Sequence, residues 1–120
     1  MGTGLVKTGR FTRDEHVKKA SEIRTLYREG NKVSTSGAKL FYLPNQLGIN
    51  RIAFALPRGY GNAVKRNKSK RLSRETYRYY KANMKKGYDM IFLVYPDAES
   101  FKKRCEQFHF LCQKAELLLQ

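Results

Sequence analysis

Residues Gly59 to Lys81 read Gly-Tyr-Gly-Asn-Ala-Val-Lys-Arg-Asn-Lys-Ser-Lys-Arg-Leu-Ser-Arg-Glu-Thr-Tyr-Arg-Tyr-Tyr-Lys. Beyond Gly61 the stretch contains no Gly or Pro. From Ala63 to about Lys81 it can therefore run as one helix of roughly 28 Å, at 1.5 Å per residue. Projection at 100° per residue gathers Arg66, Asn67, Lys70, Arg71, Arg74 and Arg78 within about 140° of arc, with Lys65 and Lys68 in the same run. Leu72, Thr76 and Tyr79 fall opposite, with Ser69 nearby. A helix with one cationic side must seat its other side on apolar neighbours, so the flanking segments are the place to look for a sheet.

Upstream, Ile49 to Leu56 alternates Ile52, Phe54 and Leu56 and reads as a strand. Lys39 to Leu43 is a second strand, closed by a turn through Pro44-Asn45, and Lys32 to Ser36 is a weaker third. Downstream, Gly87 is placed to end the basic helix. Met90 to Tyr95 does not alternate and reads as a strand buried on both faces. Asp97 is a candidate N-cap for a last helix, whose stripe is Phe101, Cys105, Phe108, Cys112, Ala115 and Leu119. At the other end, Thr12-Arg13-Asp14-Glu15 has the form of a capping box. It would open a helix carrying Val17, Ala20, Ile23, Leu26 and Tyr27 and stopping at Gly30, a usual residue past a helix end. The order α-β-β-β-α-β-α predicts an α+β fold, a small mixed sheet with three helices, as one domain over residues 1–120.

Twenty-five Lys and Arg against ten Asp and Glu give the 120-residue chain a formal charge of +15. Eleven of these cations, with one acid (Glu75), lie between Arg58 and Lys86. Self-repulsion of that size opposes folding, and a polyanionic partner is the simplest reason to carry it. A membrane is the weaker candidate. The longest apolar run, Met90 to Tyr95, is far short of the roughly 20 residues of a spanning helix. No secretory signal is visible at the N-terminus. Met1-Gly2 lacks the Ser or Thr that myristoylation wants, because Val6 stands there. Cys105 and Cys112 are about 10 Å apart along one helix, too far for a disulfide. Reduced thiols point to the cytoplasm.

A charge run is most often a solvated helix face, but such faces mix signs. Here Arg66, Lys70, Arg74 and Arg78 repeat at four-residue spacing with no acid assigned to the face, so like charges repel. Arginine forks hold phosphate with two parallel hydrogen bonds. Asn67 can reach a base edge, a 2′-hydroxyl or a hydrated metal. Six neutralised phosphates give a log–log salt slope of about −4 to −5. A helix reading a DNA major groove fits the same composition.

Cys105, His109 and Cys112 share a helix face at ligand-like spacing, yet a zinc site usually needs a fourth ligand and the only other histidine is His16. Buried thiols are the better reading. The acids are scattered, so no catalytic residue and no metal ligand is assigned, and a stand-alone nuclease is the less favoured alternative.

Gly61-Asn62-Ala63-Val64-Lys65-Arg66-Asn67-Lys68-Ser69-Lys70-Arg71-Leu72-Ser73-Arg74-Glu75 resembles the signature of the bacterial ribonuclease P protein component family. That signature is a Gly-Asn-Ala entry followed by Arg-Asn-Arg, Lys-Arg and Arg-Glu at fixed offsets. The likeness covers roughly residues 8 to 118. Lys68 departs from the second arginine, Ser69 and Ser73 from aliphatic residues, and Leu56-Pro57-Arg58 from Val-Ser-Lys. The resemblance implies the fold of the second domain of ribosomal protein S5, with the basic helix in a left-handed crossover. It also implies that an RNA subunit hydrolyses precursor tRNA with Mg2+ that the RNA mainly holds, and that no obligate protein partner is needed. Lys65, Arg66, Asn67, Lys68, Lys70, Arg71, Arg74 and Arg78 would bind RNA. Ile23, Tyr27 and Tyr42 match a cleft, between the first helix and the sheet, that takes the single-stranded 5′ leader.

Overall fold

The computed structural model describes residues 13–96 and 100–119. A 3-10 turn, Arg13–Glu15, is followed by α1 (Ala20–Glu29), β1 (Asn31–Thr35), β2 (Ala38–Pro44), β3 (Arg51–Ala55), α2 (Ala63–Tyr80), a second 3-10 turn, β4 (Tyr88–Val94) and α3 (Phe101–Lys114). The strands form one sheet in the order β1-β2-β4-β3. β2 pairs antiparallel with both β1 and β4, whereas β3 and β4 are parallel, joined by the crossover through α2. This is the mixed α+β architecture the patterning predicts.

Both faces of the sheet are covered. On one, Leu40, Ile52, Met90, Phe92 and Val94 pack with Tyr77 and Tyr80 of α2 and Phe108, Leu111 and Cys112 of α3. The rings of Phe92 and Phe108 lie 4.9 Å apart, edge to face, an arrangement favoured by their quadrupoles. On the other face, Phe41 and Ile91 pack against Leu26 of α1 and Val17, with Ile23, Leu43 and Leu93 around them. Burying each such side chain contributes about 1.5–3 kcal/mol. Among the described residues no helix is long and apolar enough to cross a membrane.

Several boundaries differ from expectation. Thr12 lies outside the described residues, and the capping-box segment does not open α1. After the 3-10 turn, His16 bridges to Ile52 and the Val17 N–H donates to the Ile52 carbonyl at 3.2 Å. The open edge of β3 offers that carbonyl, and burying Val17 rewards the extended path. The helix begins only at Ala20, with no side-chain cap on Lys19. Gly30 ends it for a steric reason: its backbone is extended, and a Cβ there would stand 2.4 Å from the Leu26 carbonyl oxygen.

Gly87 does not end α2. The helix stops at Tyr80, and a 3-10 turn over Lys81–Asn83 follows. Asp97 lies outside the described residues; the cap of α3 is Ser100, whose side chain accepts from the Lys103 N–H at 3.1 Å. Leu119 is not on the helix, which ends at Lys114. The chain folds back beside 83–85, the Leu119 N–H donating to Asn83 and the Lys85 N–H to Leu117, and Leu117 takes the buried place.

Candidate nucleic-acid interface

The basic helix is started by its own sequence. Gly61 precedes the cap, and an added Cβ there would lie 3.3 Å from the Lys65 side chain. The Asn62 side-chain oxygen accepts from the Lys65 N–H at 3.0 Å, supplying one of the first-turn N–H groups with a partner. Inward on α2 point Ser69, Ser73, Thr76, Tyr77 and Tyr80. Outward stand Lys65, Asn67, Lys68, Lys70 and Arg71, all exposed, with Arg66, Arg74 and Arg78 half-buried at the margins. Arg66 donates to the Pro57 carbonyl at 3.2 Å. Among the described residues, Lys65, Arg66, Lys68, Lys70, Arg71 and Arg74 form no ion pair with a carboxylate.

Arg78 is the exception, and it corrects the expectation of an acid-free face. Its Nη1 lies 3.4 Å from Glu75 Oε2. Three residues along a helix bring two side chains together, so Glu75 reaches round to the end of the cationic row. The face that remains is a row of cations on a rigid rod, without internal compensation from Lys65 to Arg74.

Ser69 and Ser73, small where the resemblance has aliphatic residues, are explained by α3. Arg104 is fully buried, and its Nη1 donates to the Ser69 carbonyl and to Ser73 Oγ, both at 2.8 Å. The long side chain fills the space the serines leave and ties α2 to α3. Sequence reasoning missed it because the apolar stripe of α3 runs one position away.

On the other face of the sheet, Ile23 and Tyr27 of α1 are brought together with Phe41, not with Tyr42. The Tyr27 and Phe41 rings lie 4.9 Å apart, edge to face, and Tyr27 is 43% exposed. Lys39 Nζ sits 5.6 Å from the Tyr95 ring centre. Burial, then the neighbouring Tyr95, pushes the Tyr27 hydroxyl pKa up. Tyr42 points to the α2–α3 side, 6.4 Å from Tyr88. Adjacent strand residues face opposite ways, so placing Tyr42 with Ile23 and Tyr27 is off by one residue. Phe41 had no signal of its own, because β2 carries large apolar side chains on both faces; Lys39 and Tyr95 meet only through the pairing of β2 with β4.

A polar network anchors α1 to the sheet. Arg51 of β3 grips Asp89 of β4 through Nε at 2.8 Å and Nη2 at 2.6 Å, and Nη2 reaches Glu22 of α1 at 3.3 Å. Asn45 donates to Asp89 at 2.8 Å. The Asp89 hydrogen bonds hold the Arg51 guanidinium ionised, above its ordinary range.

Cys105, His109 and Cys112 do not converge. Cys112 is buried in the core, His109 is exposed against the Tyr80 ring at 5.6 Å, and no cluster of three metal-ligating side chains occurs among the described residues.

A four-stranded mixed sheet covered by three helices has counterparts among known proteins. The family model described as Ribonuclease P matches residues 11–116. The chain belongs to the ribonuclease P protein family. A ribonuclease P protein component from Natranaerobius thermophilus is 39% identical over 104 residues, covering 85% of this chain and 90% of the relative. One from Caldanaerobacter subterraneus is 32% identical over 104 residues, covering 87% and 85%. The Staphylococcus aureus RNase P protein structure superposes with a TM-score of 0.78 at 21% identity, over 87% of this chain and 97% of that one. The Thermotoga maritima RNase P protein gives 0.75 at 22%, over 83% and 96%. The structures show the shared fold; the sequence relatives show the family. As a ribonuclease P protein component, the chain is a subunit of the endoribonuclease that matures tRNA 5′ ends.

Proposed function

We propose that the outward face of α2 docks on the RNA subunit of ribonuclease P, through Lys65, Arg66, Asn67, Lys68, Lys70, Arg71, Arg74 and Arg78. On this reading the cleft of Ile23, Tyr27 and Phe41 takes the 5′ leader of precursor tRNA as a single strand. The observation that carries the proposal is the cationic row of α2, exposed at Lys65, Lys68, Lys70 and Arg71 and, among the described residues, without carboxylate partners from Lys65 to Arg74. Phosphates repeat along RNA, and a rigid rod presents cations to them without a backbone-ordering cost at binding. The aromatic cleft supports the second half, since bases stack on rings regardless of sequence.

The protein itself supplies no cleaving group in this scheme. A cationic helix with one amide, Asn67, offers a divalent cation few direct ligands, since such an ion prefers carboxylate and phosphate oxygens. Mg2+ is accordingly held mainly by the RNA. The protein's charge screens phosphate–phosphate repulsion and lowers the magnesium the RNA requires. The place of action is the cytoplasm, consistent with two free thiols.

Reconstitution tests this directly. Precursor-tRNA cleavage by the ribonuclease P RNA is measured with and without the protein across a magnesium series. The protein should shift the requirement to lower magnesium. Equal requirements in both arms, or cleavage by protein without RNA, would defeat the proposal.

A further inference from the structure

At the C-terminal end of α2, Tyr79 and Tyr80 meet the outer side of α3. With Phe101, Cys105, His109 and Phe110 they line a groove of about 590 Å³. The rings stand edge-on to one another: Tyr79 lies 5.8 Å from Tyr80 and 5.8 Å from Phe101. Phe101 is 38% and Phe110 46% exposed, so the core does not account for either. The rim is charged. Lys114 Nζ sits 5.7 Å from the Phe110 ring centre, and Glu106 is held by Lys102 at 3.2 Å.

Shape and charge together select the occupant. A second copy would bring +15 against +15, and like net charge opposes association. A neutral apolar peptide would use the rings and gain nothing from the field. A nucleotide is flat and apolar on its base and anionic on its phosphate, and matches both. The groove also opens beside the C-terminal end of the cationic helix, since Tyr79 follows Arg78 and lies about 100° around the helix from it.

We propose that this groove receives an unpaired nucleotide of the ribonuclease P RNA subunit, its base stacked among Phe101, Phe110 and Tyr79. The phosphate lies toward Lys114, whose ammonium stands at the Phe110 ring, and away from Glu106, which holds Lys102. The inference rests on the reading of α2 as the RNA-docking helix and extends that interface round the shoulder of α2 onto α3. Because the contact is stacking, it adds affinity with little salt dependence, unlike the contacts of Arg71.

Full-length Phe110→Ala, Phe101→Ala and Phe110→Trp proteins are titrated with the ribonuclease P RNA at several salt concentrations. A benzophenone side chain at position 110 is photo-cross-linked in the reconstituted complex and the attached nucleotide mapped. Both alanine variants should bind on the order of 5- to 100-fold more weakly, with an unchanged salt slope. Phe110→Trp should restore affinity, and the cross-link should fall on one unpaired nucleotide of the RNA subunit. Alanine variants that bind as the parent does would overturn the proposal, as would cross-links to precursor tRNA or to a second protein copy. Failure of the parent itself to bind RNA would instead strike the reading of α2, and the groove with it.

Discussion

Arg104→Ala removes a fully buried charged tie between α2 and α3 and should be strongly destabilising. Arg104 is 2% exposed and donates at 2.8 Å to the Ser69 carbonyl and at 2.8 Å to Ser73 Oγ. Hydrogen bonds from a charged donor contribute roughly 1.5–3 kcal/mol each. Relief of the buried guanidinium's desolvation returns part of that sum, while the cavity left by the side chain adds to the loss. The net cost is about 3–5 kcal/mol, a large share of the roughly 5–15 kcal/mol that holds a domain together, and about 10–25 °C in Tm. Arg104→Met keeps the volume of the stem and should cost only about 1–2 kcal/mol. Urea unfolding followed by far-UV circular dichroism reads both. In the Arg104→Met background, Ser73→Ala should cost less than in the parent, because its partner is already gone. An Arg104→Ala protein within about 1 kcal/mol of the parent, or strictly additive costs in that cycle, would refute Arg104 as the tie between α2 and α3.

Four other outcomes can be checked. Arg71→Ala should weaken binding to the ribonuclease P RNA and reduce the magnitude of the salt slope by about 1, as one lost phosphate contact requires; an unchanged slope in filter-binding titrations contradicts it. Tyr27→Ala should cost about 1–3 kcal/mol in leader affinity while Tyr42→Ala leaves it unchanged, and equal losses would put the cleft on the wrong face of the sheet. Burial pushes the Tyr80 hydroxyl pKa up to about 12, so its contribution to stability is complete below the unfolded value near 10 and is lost as pH rises from there toward 12; Tyr80→Phe should flatten the alkaline limb of a stability–pH curve. Burial raises the Cys112 thiol further than that of half-buried Cys105, so alkylation of native protein should label Cys105 first, and equal rates would count against the core placement.

The two regions proposed to bind RNA were legible to different degrees. The bounds of α2, Ala63–Tyr80, follow from a stretch without breakers between an asparagine cap and the turn that follows. Its cationic row follows from rotation per residue. Glu75, the one acid of the segment, is not assigned to the cationic face because it sits just outside the arc that holds the arginines, yet its side chain is long enough to reach Arg78. In β2 the parity of the strand was obscure. Leu40 and Tyr42 face the α2–α3 layer while Phe41 and Leu43 face α1, and alternation marks a face only where one of the two is polar. The extended start at His16 and Val17 depended on a carbonyl of β3, some 35 residues away.

By itself, the sequence of this protein determined where each helix and strand could form and that one helix carries a segregated positive face. Those properties depend on neighbours within a few residues, at the fixed rise and rotation of helix and strand. Only the tertiary structure decided that Phe41 joins Tyr27, that Arg104 seats α2, and that Tyr79 and Phe110 share a groove. Each of those meetings is between elements far apart in the chain, and which faces meet is settled by packing of the whole rather than by any local pattern.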